Sequence, residues 1–188
     1  MAGYRLHFAT GNEGKVREFA EILKPVEVLP VRLELEEIQD ARLEVISARK
    51  ASQAAAVLGK PAVVDDSGLF VNALGGFPGP YSAYALDTIG CEGIIDLLAG
   101  RDDRSASFVS VVSYAEPDTG ARVFHGEVEG TISTSARGEN GFGFDPIFEY
   151  GDRTFAEMEP VEKNKLSHRF KALCSFKEWY FSNKVYDC

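Results

Sequence analysis

The chain has few cysteines, few histidines and no CxxC pair. Its three cysteines, Cys91, Cys174 and Cys188, are widely spaced, which excludes a disulfide framework and a zinc ribbon. The three histidines also lack the spacing of metal ligands. We expect the thiols to be small buried or terminal side chains in a reducing compartment, and we therefore predict a cytoplasmic protein.

Signals for secretion and membrane insertion are also missing. The amino-terminal residues do not combine a charged start with an apolar core, which argues against a signal peptide. Residues 67–86 carry no charge, but four glycines and two prolines interrupt them. These residues break helices and make turns, so the segment is predicted to be a buried strand that leads into a tight loop rather than a membrane span.

Positive charge is scarce. The chain has 20 lysines and arginines against 29 aspartates and glutamates, which gives a net charge of −9. An acidic chain has no general attraction for nucleic acid or for an anionic membrane, so we expect neither partner. An anionic ligand would have to be held by a local cationic cluster, by a metal ion, or by both.

The residues that are present favour an α/β fold. The 188 residues, 45% of them hydrophobic, suit one domain with a substantial core. Strand and helix signals alternate in the first half, with strands over 4–10, 26–31 and 61–65 and helices after Asn12 and over 43–58. This alternation indicates parallel strands joined by helical crossovers.

The second half favours a hairpin and more helices. We predict a helix over 87–99, an antiparallel hairpin formed by 105–115 and 121–133, a glycine-aromatic loop over 141–148 and a long helix over 161–182. The resulting architecture is a mixed β-sheet flanked by helices, with a second lobe built by the hairpin. A cleft between the two lobes is the expected site.

The first candidate site is the turn Thr10-Gly11-Asn12-Glu13-Gly14-Lys15. A strand-to-helix turn of small residues exposes backbone N–H groups, and Lys15 adds a positive charge, so the turn can bind an anion. The spacing fits neither a Walker loop nor a dinucleotide fingerprint. The alternative is an ordinary helix capped by Asn12.

The second and third candidates are acidic. Asp65 and Asp66 are predicted to end a buried strand before a glycine turn, and neighbouring strand residues face opposite sides. One of these carboxylates can then hold Mg²⁺ or take a proton from water, unless the pair only forms the turn. The segment 36–40 is either a solvated acidic face or the source of a Mg²⁺ ligand.

Two further segments can recognise a base. In the loop 141–146, an aromatic ring between glycines can stack on a nucleobase, and Asp145 can accept hydrogen bonds from ring N–H groups. The alternative is a turn that only packs in the core. In the predicted last helix, Lys163 and Ser167 share a face. His168 and Arg169 lie beside that face as donors for carbonyl or phosphate oxygens, and the alternative is a basic solvated face.

Taken together, these segments resemble the noncanonical purine nucleoside triphosphate pyrophosphatases, which are also called ITPases or XTP/dITP diphosphatases. The resemblance rests on five motifs in the family's order, which are TGNEGKVREF, EEIQ, VVDDSGLFVNALGGFPGPYSA, GFGFDPIF and FAEMEPVEKNKLSHRFKAL. They extend over nearly the whole chain. The chain departs from the family at Glu36, where proline is common, and at Asp40, where glycine is common.

The resemblance implies a fold, an activity and an assembly. The fold would be an elongated α/β structure in which one domain, 1–188, has two lobes and the active site lies in the cleft between them. The activity would be Mg²⁺-dependent hydrolysis of a nucleoside triphosphate to the monophosphate and pyrophosphate, which removes ITP, dITP and XTP from the nucleotide pool. The assembly would be a homodimer.

The resemblance also implies roles for individual residues. Asp66 would activate the attacking water, and Glu37 and Asp66 would bind the metal. The residues expected to contact the phosphates are Thr10, Gly11, Asn12, Lys15, Lys50, Ser67 and Gly68. The residues expected to hold the base are Phe142 or Phe144 with Gly143 and Asp145 on one wall, and Lys163, Ser167, His168 and Arg169 on the other.

Three competing interpretations are open at this stage. The nearest is a Maf-type pyrophosphatase that acts on modified or pyrimidine triphosphates, against which the SHR and GFGFDP segments argue. The second is a nucleotide-binding module without catalysis. The third is a nucleic-acid-binding protein, which the net charge and the absence of a basic stripe oppose.

Overall fold

The structure is a computed structural model that describes residues 4–184. Residues 1–3 and 185–188, which include Cys188, lie outside the described part. In chain order the strands and helices are β1 Arg5–Ala9, α1 Glu13–Ile22, β2 Glu27–Val31, α2 Leu43–Leu58, β3 Ala62–Val71, β4 Pro78–Gly79, α3 Ser82–Thr88, α4 Gly90–Leu97, β5 Ser105–Ala115, β6 Arg122–Ile132, β7 Phe148–Tyr150, β8 Arg153–Thr154, α5 Pro160–Leu166 and α6 His168–Lys184, with short 3₁₀ turns at Asn72–Leu74 and Phe155–Glu157.

The strands form one mixed sheet in the order β2-β1-β3-β5-β6-β7-β8, and β4 pairs with β3. β1 runs parallel to both β2 and β3. The pairs β3–β4, β6–β7 and β7–β8 are antiparallel. The predicted mixed α/β fold is therefore confirmed, with parallel crossovers in the first half of the chain and antiparallel pairs in the second half.

Local signals set several boundaries as the sequence predicts. The side chain of Asn12 accepts the Lys15 N–H at 3.0 Å and caps α1. Gly59 adopts a left-handed conformation with φ 61° and ends α2, as expected of a glycine just past a helix. β5 and β6 are neighbours in the sheet, and the short connection between them permits only antiparallel pairing.

Three predicted boundaries are wrong. The predicted strand 61–65 continues to Val71, so Asp65 and Asp66 lie within β3 and do not precede a turn. The predicted helix 87–99 is two helices, because Gly90 takes a left-handed φ of 65° and breaks the helical run. The predicted helix 161–182 is interrupted at Ser167, whose backbone is extended at φ −66° and ψ 156°.

The chain divides into two compact units. The first unit comprises residues 4–66, 110–126 and 169–184. Its core contains an aromatic cluster in which Phe8 stacks on Phe19 with ring centroids 3.8 Å apart. A second cluster packs the alanines of α2, including Ala51 and Ala55, against Val64 of β3.

The second unit comprises residues 67–109 and 127–168. Its core contains a cluster of buried side chains from its strands, its loops, α3 and α4. Phe108, Phe148 and Phe155 pack together in this cluster, with ring centroids 4.5 to 6.0 Å apart. Each unit therefore buries its own apolar side chains. Among the residues that the structure describes, no helix is both long enough and apolar enough to span a bilayer.

Candidate active site

The turn between β1 and α1 is a helix N-terminus in the first unit. The Thr10 hydroxyl accepts the Asn12 N–H at 3.1 Å, and the Asn12 side chain caps the helix. A Cβ atom at Gly11 would meet nothing within 4 Å, so packing does not demand glycine there. Backbone N–H groups at such a terminus carry partial positive charge and can receive an anion.

Lys15 extends from this turn to β3. Its ammonium donates to the carbonyl oxygen of Asp65 at 2.7 Å and lies 2.9 Å from Oδ2 of the same residue. The Lys15 side chain keeps 17% of its surface exposed, whereas the Asp65 side chain is fully buried. Asp65 therefore holds the ammonium of Lys15 from two directions at the end of the turn.

Arg169 contacts the same carboxylate from the start of α6. Its Nε and Nη2 atoms donate to Asp65 Oδ2 at 3.2 and 3.1 Å, and its Nη1 atom donates to Glu18 of α1 at 2.5 Å. Ser110 donates a hydrogen bond to Asp65 Oδ1. The sequence predicted that Arg169 contacts a base, and in this structure its side chain is held by two carboxylates of the first unit.

The contacts around Asp65 keep both Asp65 and Arg169 in their charged forms. Burial by itself would raise the pKa of Asp65, but the charges of Arg169 and Lys15 and the Ser110 hydrogen bond hold that pKa well below its usual value. Burial opposes the charge of Arg169 as well, yet Asp65 and Glu18 raise its pKa. Asp65 is thus a carboxylate, and Arg169 a guanidinium, at neutral pH.

Lys50 of α2 lies between two further carboxylates of the first unit. Its ammonium is 2.6 Å from Glu37 Oε1 and 2.8 Å from Asp66 Oδ1. Burial would lower the pKa of Lys50, but the charges of Asp66 and Glu37 and their hydrogen bonds raise it above its usual value. This contact unites three residues that the sequence assigned to metal and phosphate binding.

The Asp65–Asp66 pair in β3 contacts two different cations. Asp65 faces Lys15 and Arg169, and Asp66 faces Lys50, as alternating strand side chains require. Among the described residues, no hydrogen-bond donor reaches the buried Oδ2 atom of Asp66. That oxygen is therefore a buried acceptor that the described donors leave unused.

In the second unit, the loop after Gly141 is organised around Asp145. The buried Asp145 carboxylate accepts the Phe142 N–H at 2.7 Å and the Lys163 ammonium at 2.6 Å. The same ammonium lies 4.8 Å from the centroid of the Phe142 ring. Asp145 and Lys163, which the sequence placed on opposite walls of a base pocket, are therefore in direct contact.

The two phenylalanines of this loop differ in burial. Phe144 is 3% exposed and packs in the core of the second unit with Ile147 and Phe148, whereas Phe142 is half-buried. Between the two rings that the sequence left open, Phe142 is the one with a face outside the core. The Gly143 carbonyl accepts a weak hydrogen bond from Cys91 at 3.6 Å.

Ser167 and His168 lie where α5 ends and α6 begins. The Ser167 N–H donates to the Lys163 carbonyl at 2.9 Å, and Ser167 is fully buried. The His168 ring stacks on Phe108 with centroids 4.7 Å apart and is 4% exposed. The helix break at Ser167 corrects the expectation that Lys163 and Ser167 share one continuous helix face.

Ser67 and Gly68 continue β3 in the second unit. A Cβ atom at Gly68 would overlap the carbonyl oxygen of Gly79, because β4 pairs beside it at Leu69 and Phe70. Gly68 is thus needed for the close approach of a strand and not for a turn. This packing explains why the predicted glycine turn is absent.

The sequence did not predict two residues that contact Asp65 or Arg169. Glu18 contacts Arg169, and Ser110 contacts Asp65. A signal for Glu18 exists, since it follows Lys15 by three residues on α1 and so shares its face. Nothing in the sequence distinguishes Ser110 within the β-rich run of β5, because its contact with Asp65 joins residues 45 positions apart.

The fold and these clusters define a class of protein. A helix N-terminus with a lysine, a lysine bridging two carboxylates, and a half-buried aromatic beside a buried carboxylate are features of an α/β protein for a phosphorylated ligand. Comparison with known proteins specifies the class further. The model of the Ham1 family matches residues 6–179, and the chain belongs to this family.

Proteins of known name resemble the chain over nearly its whole length. A protein of Methanopyrus kandleri named dITP/XTP pyrophosphatase is 53% identical over 180 residues, which cover 94% of this chain and 96% of that protein. A protein of Fusarium vanettenii named inosine triphosphate pyrophosphatase is 44% identical over 182 residues, covering 96% and 98%.

A solved structure has the same fold. The Ham1 protein of Staphylococcus aureus superposes with a TM-score of 0.85 at 35% identity, covering 96% of this chain and all of that one. The resemblance drawn from the five sequence motifs is confirmed.

Proposed function

We propose that the protein hydrolyses noncanonical purine nucleoside triphosphates, namely ITP, dITP and XTP, to the monophosphate and pyrophosphate. The observation that carries this proposal is the near full-length similarity to proteins named dITP/XTP pyrophosphatase, 53% identical in one case. The biological purpose is to remove deaminated purine nucleotides before a polymerase incorporates them.

Mg²⁺ is the proposed cofactor, and the donor set of the first unit suits it. Glu37 and Asp66 are two carboxylates that share the Lys50 ammonium, so these three side chains together carry a net negative charge, and the buried Asp66 Oδ2 atom accepts no hydrogen bond from a described donor. Among the described residues no group of three or more potential metal ligands occurs. Mg²⁺ commonly binds through one or two carboxylates and completes its shell with substrate phosphates and water.

The protein's own residues would carry the remaining steps. When bound, the metal supplies charge stabilisation for the phosphates and the leaving pyrophosphate. Lys15 and the α1 N-terminus hold phosphate oxygens, Lys50 neutralises charge beside them, and Asp66 orients the attacking water and accepts its proton. Positioning and electrostatics supply most of the rate enhancement in such phosphoryl transfers.

Base selection is proposed for the second unit. The Phe142 ring stacks on the purine, and Asp145 accepts a hydrogen bond from the N1–H group of the purine ring. His168 donates to the 6-oxo group, whereas the Nε, Nη1 and Nη2 atoms of Arg169 donate to Asp65 and Glu18. ATP carries a 6-amino group and an unprotonated N1 atom, so the His168 donor and the Asp145 acceptor would both be left unmatched, which a buried site rejects strongly.

We also propose a cytoplasmic homodimer. What supports self-association is a group of exposed apolar side chains in the second unit, in which Phe77, Tyr81 and Tyr84 are 39%, 46% and 71% exposed. These three side chains lie at the surface of the subunit. Exposed aromatic clusters commonly mark interfaces.

The experiment is a product assay. Purified protein and Mg²⁺ are incubated separately with ITP, XTP, dITP, GTP, ATP and dTTP, and phosphate is measured with and without added inorganic pyrophosphatase. Phosphate from ITP, dITP and XTP that appears only with the added enzyme is the expected result.

Other outcomes identify the error. Direct phosphate release would mean cleavage at the γ position. Product from dTTP alone would favour the Maf-type alternative, and no product from any substrate would leave a binding module.

A further inference from the structure

Glu18 is a buried carboxylate with no role in the proposed chemistry. It lies on α1, three residues after Lys15, and is 8% exposed. Glutamate is rarely buried this far unless a cation pairs with it. Its position on the helix that begins at the phosphate-binding turn makes its pairing relevant to that turn.

Glu18 pairs with Arg169, and the chain of contacts continues through Asp65 to Lys15. The Nη1 atom of Arg169 donates a hydrogen bond to Glu18, and its Nε and Nη2 atoms donate to Asp65 Oδ2. The same Asp65 oxygen lies 2.9 Å from the Lys15 ammonium. One oxygen of Asp65 therefore serves two cations, while Glu18 draws part of one cation away from it.

We propose that Glu18 is a positioning residue for phosphate binding, which acts by holding Arg169 so that Asp65 keeps the Lys15 ammonium oriented at the turn. The inference rests on the proposed function, in which Lys15 contacts phosphate. Two donors of the ammonium are directed at Asp65, towards its carbonyl and its carboxylate. This arrangement fixes the direction of the third donor.

Loss of the Glu18 charge is expected to weaken phosphate binding, because Arg169 and Lys15 differ in burial. Without the negative charge of Glu18, the two cations compete more directly for Asp65. The Arg169 side chain is 2% exposed and the Lys15 side chain 17%. Water stabilises Arg169 less, so Arg169 binds Asp65 more tightly and Lys15 is released towards solvent. A released lysine has to be ordered again by each ligand, which weakens phosphate binding.

The test is a double-mutant cycle on binding of inorganic pyrophosphate, which has phosphates but no base. Calorimetry with Mg²⁺ present measures its Kd for the wild type, Glu18→Gln, Lys15→Ala and the double variant. We expect Glu18→Gln to raise the Kd about tenfold, and to add less than about twofold in the Lys15→Ala background. The ratio of kcat/KM for ITP to that for ATP stays unchanged.

Two further variants support the comparison. Glu21→Gln alters an exposed glutamate of the same helix, whose side chain is 56% exposed, and it should bind pyrophosphate as the wild type does. Glu18→Gln combined with Arg169→Gln removes one anion and one cation together. We expect it to bind pyrophosphate more tightly than Glu18→Gln alone, and it serves in the cycle if the single variant does not fold.

Several results would overturn the inference. The first two are a Kd for pyrophosphate that is unchanged or lower in Glu18→Gln. The third is an effect of Glu18→Gln on this Kd that is as large in the Lys15→Ala background as in the wild type. The fourth is a change confined to the ratio of kcat/KM for ITP to that for ATP. Failure of the proposed function looks different, because the wild type itself would then neither bind pyrophosphate nor release it from ITP.

Discussion

At the residue scale, the two neighbouring aspartates of β3 have different environments and different predicted roles. Asp65 is fully buried among Lys15, Arg169 and Ser110, and its charge is locked by that network. Asp66 is 13% exposed, pairs with Lys50, and has one carboxylate oxygen that no described donor reaches. Asp65 is suited to hold other residues in place, whereas Asp66 is suited to contact a metal and a water molecule.

Replacing Asp66 with Asn should remove most of the turnover and change substrate affinity little. The amide keeps the shape but cannot accept the proton of the attacking water, and loss of general base catalysis costs about a hundredfold or more in kcat. Steady-state kinetics with ITP measures both parameters, and Asp96→Asn, on the exposed side of α4, is the control. Near-native kcat in Asp66→Asn would assign the base elsewhere.

Replacing Asp65 with Asn should destabilise the fold in a pH-dependent way. The pKa of Asp65 is lower in the folded chain than its ordinary value of 3.8, so its ionised form contributes stability above that value and loses it as the pH falls further. Breaking a buried pair costs about 3 kcal/mol or more at neutral pH. Urea unfolding of both proteins should show this difference at pH 7 and a smaller one below about pH 4.

The Asp65→Asn comparison has a clear contrary result. A difference in unfolding free energy that stays constant from neutral to acidic pH would show that the charge of Asp65 contributes nothing, and that only the shape of its side chain matters.

At the element scale, the loop from Gly141 to Asp145 is held by its own backbone conformation. Gly141 has a left-handed φ of 76°, and a Cβ atom there would overlap the Asp145 carboxylate. That carboxylate orders both the Phe142 backbone and the Lys163 ammonium. The loop therefore needs glycine for two independent reasons.

Gly141→Ala should disturb base recognition while leaving phosphate binding intact. Alanine in this conformation costs about 1 to 3 kcal/mol and pushes Asp145 away from Lys163, so KM for ITP should rise about tenfold. Gly120→Ala, where a Cβ atom meets nothing, is the matched control. Kinetics with ITP and calorimetry with pyrophosphate test this, and equal weakening of both ligands would argue against a base-specific role.

At the scale of the whole molecule, the proposed homodimer depends on the exposed aromatic group of the second unit. Tyr84 is 71% exposed on α3, near Tyr81 in sequence. An apolar surface of this kind is stabilised by burial against another copy, and a charge placed in it is left without a partner.

Tyr84→Glu should convert the dimer to a monomer. Light scattering after gel filtration measures the mass in solution, and Val57→Glu, which changes a 66% exposed apolar residue of α2 in the first unit, is the control. An unchanged dimer mass in Tyr84→Glu would place the interface on another surface. A wild type that runs as a monomer would overturn the proposed assembly.

The sequence by itself determined the class of fold, the helix caps at Asn12 and Gly59, and the family. These depend on short-range signals, namely the alternation of apolar residues, capping side chains and contiguous motifs. The same signals located most lysines and carboxylates of the candidate site, because they stand in short motifs. Lys50 is the exception, since it lies in none of the five motifs.

Only the tertiary structure decided how those residues pair. The extension of β3 through Gly68 depends on the approach of Gly79, and the break at Ser167 occurs in a segment without glycine or proline. The pairing of Glu18 with Arg169 joins residues 151 positions apart. Contacts of this range arise from packing and from the need to neutralise buried charge, which no local pattern in the chain encodes.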